Sequence, residues 1–113
     1  MPAPLFDRSA VLDNLDGDTE LLHEIAGIYL DSYAQELARI GAAIAAGDAT
    51  KVFALTHTIK GSIGNFGATE AVEAAKVIEG HARAGSVDGT EAAFRQLSAL
   101  LDQLAAELRA ELG

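Results

Sequence analysis

TELLHEIAGIYLDSYAQELARIGAAIAAGD, residues 19 to 48, decides the fold. Leu22, Ile25, Tyr29, Tyr33, Leu37, Ile40 and Ile44 recur at spacings of three and four, the interval at which an α-helix returns to one face. Asp18 stands before the run as an N-cap, and Gly47 follows it, able to take the left-handed conformation that ends a helix. The spacing predicts one long helix from about residue 19 to 46 with a single buried stripe.

The neighbouring segments repeat this grammar. Asp48 can cap a helix from about 49 to 66, which Gly67 closes. ATEAVEAAKVIEGHARAG, residues 68 to 85, reads as the next helix, stopped by Gly85. After the loop GSVDG, a last helix from about 90 to 111 has Phe94, Leu97, Leu101, Leu104 and Leu108 on one face, with Asp88 and Glu91 set like a capping box. Upstream, a Pro-containing arm of about residues 1–6 leads into FDRSAVLDNL, two turns of helix capped by Asp7 or Ser9, with Leu12 and Leu15 facing inward. Loops this short join antiparallel neighbours. The expected fold is all-α: an antiparallel up-and-down four-helix bundle with a short additional N-terminal helix, in one domain spanning 1–113.

Composition agrees and narrows the function. Half the chain is hydrophobic but only 5% is aromatic, so the core is aliphatic and alanine-rich, as closely packed helices require. A net charge of −9 with only 8 basic residues argues against general nucleic-acid binding and against adhesion to an anionic membrane. There is no cysteine, which removes disulfides and thiol chemistry. No secretory leader or spanning segment is read in the sequence, and the expected location is the cytoplasm. Nothing in the pattern marks a dimer seam, so a monomer is expected.

The segment ALTHTIKGSIGNFGA, residues 54 to 68, breaks the pattern. On a wheel at about 100° per residue, Val52, Leu55, Ile59, Ile63 and Phe66 share one side, and Phe53, His57, Lys60, Gly61 and Gly64 the other. Each helix-interior glycine costs about 1 kcal/mol relative to alanine. On a face turned from the core, a bare backbone suits the approach of another macromolecule to His57. An exposed imidazole is a nucleophile near neutral pH, and Lys60 at i+3 offers the positive charge that a transferring phosphoryl group needs. With no nucleotide-binding loop and no metal cluster in the sequence, the partner must bring the phosphoryl group and its Mg²⁺. His23 and His81 read as ordinary solvated side chains.

These residues resemble the signature of the histidine-containing phosphotransfer (HPt) domain, H-x-L-K-G-[SA]-x-x-x-[LF]-G, here His57, Ile59, Lys60, Gly61, Ser62, Phe66 and Gly67. The likeness extends to AAGDA before the motif and VIEGHARAG after it; Ile59 and Phe66 stand where leucine is commoner. The resemblance implies a phosphocarrier of two-component phosphorelays without kinase activity of its own. Its partners would be receiver domains of hybrid histidine kinases and response regulators, and the phosphoryl group would ride on Nε2 of His57. Lys60 would be the neighbouring cation, Gly61 the residue that admits the receiver, and Glu79 the acceptor that orients the imidazole. Glu79 lies at the edge of the apolar stripe Ala71, Ala75, Ile78 and Ala82, where it could bond Nδ1–H of His57 or simply pair with Arg83 at i+4. Phe53, Gly64, Lys76 and Arg83 are expected on the partner-facing surface, with Lys60, Lys76 and Arg83 as a positive rim. The competing reading is a non-phosphorylated helical adaptor for receivers or other proteins. A hydrolase or metal enzyme finds no support, because the three histidines lack ligand spacing and a convergent carboxylate set.

Overall fold

Aspartates set most of the helix starts. Asp7, Asp18 and Asp48 each accept a hydrogen bond from the backbone N–H three residues on, at Ala10, Leu21 and Lys51, which satisfies one of the otherwise unpaired donors of a first turn. In the computed structural model, which describes residues 3–113, the helices are α1 (Arg8–Asn14), α2 (Thr19–Ala45), α3 (Ala49–Gly64), α4 (Thr69–Arg83) and α5 (Glu91–Leu112). The first two residues of the expected arm lie outside the described part. The 27 residues of α2 rise about 40 Å, which matches the 41 Å long axis of the molecule.

Helices α2 to α5 pack in a ring, each against its neighbours in sequence and α5 against α2, while α1 lies on α2. Cross-contacts fix the direction. His23 meets Glu111, Tyr29 donates to the Leu101 carbonyl at 2.9 Å, and Gly41 lies against the Phe94 ring, so α2 and α5 run antiparallel. His57 meets Glu79 and Phe53 meets Arg83, so α3 and α4 do too. The centre is filled by Ile40, Ile59, Ile63, Phe66, Ile78, Leu97, Leu101, Leu104 and Leu108, all fully buried. Each such side chain stabilises the fold by about 1.5–3 kcal/mol when taken from water.

Several boundaries and facings differ from the sequence reading. In α1 it is Val11 that is buried, while Leu12 and the C-cap residue Leu15 are half-buried. Along α2, Ala26 and Ala43 are buried while Ile25 and Ile44 are half-buried. α3 ends at Gly64, two residues early, and Phe66 enters the core from the turn that follows. The capping box expected from Asp88 and Glu91 does not form. α5 starts after Thr90, which is fully buried and donates its hydroxyl to the Val87 carbonyl at 2.6 Å, while the Asp88 N–H is taken by Ser86.

The N-terminal arm is strapped over the end of the bundle. Glu107 accepts the Leu5 and Phe6 N–H groups at 2.9 and 2.7 Å, the Asp7 N–H donates to the Phe66 carbonyl at 3.1 Å, and Leu5 is buried. Gly67 is required at this crossing twice over. Its φ of +70° is left-handed, and a Cβ there would stand 3.1 Å from Asp7 Cβ.

Candidate functional site

α3 divides its residues between two environments. Val52, Thr56, Ile59 and Ile63 are buried, Leu55 is only half-buried, and His57 stands out with 63% of its side chain exposed. The buried stripe thus runs through Thr56 rather than Leu55. The Thr56 hydroxyl, next to the histidine, has no hydrogen-bond partner among the described residues.

Across from His57, α4 supplies Glu79, whose side chain is only 6% exposed. Its Oε2 lies 2.8 Å from His57 Nδ1 and its Oε1 2.8 Å from Lys60 Nζ. Burial by itself raises the pKa of this carboxyl, but the hydrogen bonds from Lys60 and His57 outweigh it and hold the group below the ordinary carboxylate value. An ionised carboxylate only accepts, so Nδ1 of His57 carries the proton. In the neutral ring, Nε2 is then the nitrogen with the free lone pair, on a side chain that is 63% exposed. Glu79, half of whose reading from sequence was an i,i+4 pair with Arg83, is principally the acceptor for His57 and Lys60. Arg83 Nη2 stands 4.0 Å from Oε1.

Phe53 lies one turn before His57 on α3. The two rings are nearly parallel, 12° apart, with centroids separated by 5.9 Å. The Arg83 guanidinium sits over the Phe53 ring at 5.4 Å, and a shallow depression beside them is lined by Thr50, Phe53, Ala82 and Arg83. The sequence put Phe53 and His57 on one face but missed this stack, although the i,i+4 spacing was a signal for it.

Gly61 and Gly64 are exposed, and a Cβ built on either meets nothing within 4 Å. Gly41, in contrast, would press its Cβ to 3.2 Å from Phe94, so that glycine serves packing. Lys76 does not join the cluster. Its ammonium pairs at 3.3 Å with Glu73, one turn earlier on α4, with both side chains exposed. The geometry therefore gathers His57, Lys60, Glu79, Phe53 and Arg83, leaves Gly61 and Gly64 as open floor, and omits Lys76 from its hydrogen-bonded network. His23, read as a solvated residue, instead bonds Glu111 at 3.0 Å, whereas His81 is exposed.

A helical bundle that presents one carboxylate-bound imidazole on an open face defines a class of protein, and comparisons with known proteins agree with it. The Hpt domain family model matches residues 24–107. The chain belongs to the Hpt domain family, whose members are phosphotransfer carriers of phosphorelays rather than kinases. Its fold resembles that of histidine-containing phosphotransfer protein B (HptB) from Pseudomonas aeruginosa PAO1, with a TM-score of 0.86 and 22% identity over 97% of this chain and 96% of that one. It is also similar to the HPT domain of an Hpt sensor hybrid histidine kinase from Shewanella, with a TM-score of 0.84 and 17% identity over 96% of this chain and 93% of that one. No curated protein matches it in sequence. Among the described residues no helix is long and apolar enough to cross a membrane.

Proposed function

We propose that the chain accepts a phosphoryl group on Nε2 of His57 from the phosphorylated aspartate of a receiver domain and passes it to an aspartate of another receiver. The observation that carries this reading is that His57 gives its Nδ1 to the buried, ionised Glu79 and so keeps Nε2 free on a side chain 63% exposed. In the forward step the Nε2 lone pair attacks phosphorus, an Nε2–P bond forms and the P–O bond to the aspartate breaks. The leaving carboxylate keeps the electron pair. The ring, still protonated at Nδ1, becomes an N-phosphorylated imidazolium whose positive charge lies against Glu79. That placement lowers the energy of the charged product and of the transition state leading to it. The reverse attack by a second receiver's carboxylate restores the neutral imidazole.

Lys60 is available to offset charge on the transferring oxygens, and Gly61 and Gly64 leave room for the receiver's loops. Arg83 stands over Phe53 at the margin, with Lys76 further out, as basic positions facing the acidic pocket that a receiver builds around its aspartate. The Mg²⁺ of the reaction is assigned to the receiver, and the domain is proposed to act in the cytoplasm as a monomer. The test is incubation with a receiver carrying a labelled phosphoryl group. Label appearing on His57, labile to acid and stable to base, supports the carrier. A stable complex with the receiver and no label on the chain would make it the helical adaptor instead.

A further inference from the structure

One hydrogen bond at Nδ1 pins a point of the imidazole but leaves its plane free to tilt about that point. In-line attack depends on the plane, because the Nε2 lone pair lies in it. Phe53 supplies the missing constraint. Its ring is held nearly parallel to that of His57, at an offset-stacked separation of 5.9 Å. Phe53 is itself half-buried and lies under the Arg83 guanidinium, which reaches across from α4. Arg83 in turn approaches Glu79 Oε1 at 4.0 Å. Three planar groups thus join α3 to α4 beside the reacting nitrogen. From the sequence alone, Phe53 and Arg83 are expected on the partner-facing surface.

Resting on the carrier reading above, we infer that Phe53 is a positioning residue for the transfer: backed by Arg83, it fixes the plane of the His57 ring so that Nε2 points at the incoming phosphorus. It acts through His57 and does not need to touch the receiver. A small donor separates the two roles. Phosphoramidate needs no docking surface; Nε2 attacks its phosphorus, the P–N bond breaks and ammonia leaves with the electron pair of that bond and the proton the donor already carries on nitrogen.

The experiment compares wild type, Phe53→Leu, Phe53→Tyr and Arg83→Gln in two assays: phosphorylation of His57 by phosphoramidate, and single-turnover transfer from a phosphorylated receiver titrated up to saturation. Circular dichroism and thermal melting verify that each variant is folded. Leu keeps the bulk but has no plane, so Phe53→Leu should lose about threefold to tenfold in rate with both donors, while the receiver concentration giving half-maximal rate stays unchanged. Phe53→Tyr should restore both rates, and Arg83→Gln should cause a smaller loss with both donors. In the unphosphorylated proteins, the imidazole carbon-bound proton resonances should shift toward their solvent-exposed positions in Phe53→Leu as the ring current is removed. A Phe53→Leu protein that matches wild type with phosphoramidate and loses only receiver affinity would overturn the inference and return Phe53 to the docking surface. If wild type itself takes up no phosphoryl group at His57 from either donor, the carrier reading has failed, and the positioning role falls with it.

Discussion

The molecule builds the same triad twice. At the open face, Glu79 bridges His57 and Lys60; at the strapped end, Glu111 bridges His23 and Arg8, with contacts of 3.0 and 2.7 Å. Each bridging carboxylate is well covered, with side chains 6% and 11% exposed. Glu79 is held below the ordinary carboxylate value by Lys60 and His57 against the opposing effect of burial, and Glu111 by Arg8 and His23. The difference lies in what each leaves free. His57 gives Glu79 its inner nitrogen, Nδ1, keeps the outer Nε2 open, and has 63% of its side chain exposed beside two bare glycines. His23 spends Nε2 on Glu111, retains only the nitrogen nearest its own backbone, and is 38% exposed. The partners also differ in origin: Glu79 joins two helices that are neighbours in sequence, whereas Glu111 ties α1 and α2 to the end of α5. A carboxylate-bound histidine is therefore not by itself a site. The free distal nitrogen and the open approach distinguish the reactive triad from a clamp.

The most severe way to test that contrast is to remove each histidine. His57→Gln should fold normally, since its side chain is outside the core, and should lose phosphoryl acceptance completely, while His23→Gln should be labelled at the wild-type rate. Label on the His57→Gln protein, mapped by mass spectrometry of the intact phosphopeptide, would place the acceptor at His23 or His81 instead.

Removing the carboxylates should have the next largest effect. Glu79→Gln cannot counter an imidazolium and should slow acceptance by about tenfold or more, as loss of an orienting acceptor typically does. Glu111→Gln should leave the rate unchanged. Stability against pH should respond at both ends. Both glutamates have folded pKa values below the reference 4.5, so the stability they contribute is fully present above that value and is lost as pH falls through the folded values. Urea midpoints measured from pH 6 downward should fall for wild type and fall less steeply for either variant. Equal slopes in all three proteins would show that neither bridge is formed in solution.

Charge at the margin should matter less. Lys60→Ala should slow transfer from a phosphorylated receiver by about threefold to tenfold, and the wild-type rate should decrease with added salt. Lys76→Ala should be nearly silent, because Lys76 pairs with the exposed Glu73 and has no part in the hydrogen-bonded network of His57. Rates independent of salt, with Lys60→Ala as fast as wild type, would assign docking to apolar contacts. The smallest effect expected is on stability: Gly61→Ala should raise it by about 0.5–1 kcal/mol, since the added methyl meets open space. Gly41→Ala should gain less or lose, because Phe94 is already at 3.2 Å from the position of the new Cβ.

Much of this is legible in the sequence. Periodic leucines and isoleucines, aspartate caps and glycine stops gave the helices and their order, because each depends on residues within one or two turns. The exposure of His57 and its company of Lys60, Gly61 and Gly64 followed from the 100° step of one helix. The capping box before α5 was read wrongly for the same reason that the others were read correctly. Local spacing offered Asp88, and tertiary burial of Thr90 prevailed.

The sequence by itself determined an all-α chain with one histidine on a bare helical face, since those properties are periodic and local. Only the tertiary structure decided which nitrogen of that histidine is free, that Glu79 is buried yet ionised, that Phe53 lies parallel to the imidazole under Arg83, and that His23 belongs to a clamp. Apart from the i,i+4 stack of Phe53 on His57, these depend on atoms from helices 19 to 103 residues apart in the chain. The packing of side chains that fill the bundle sets those distances, and no spacing within one helix encodes them.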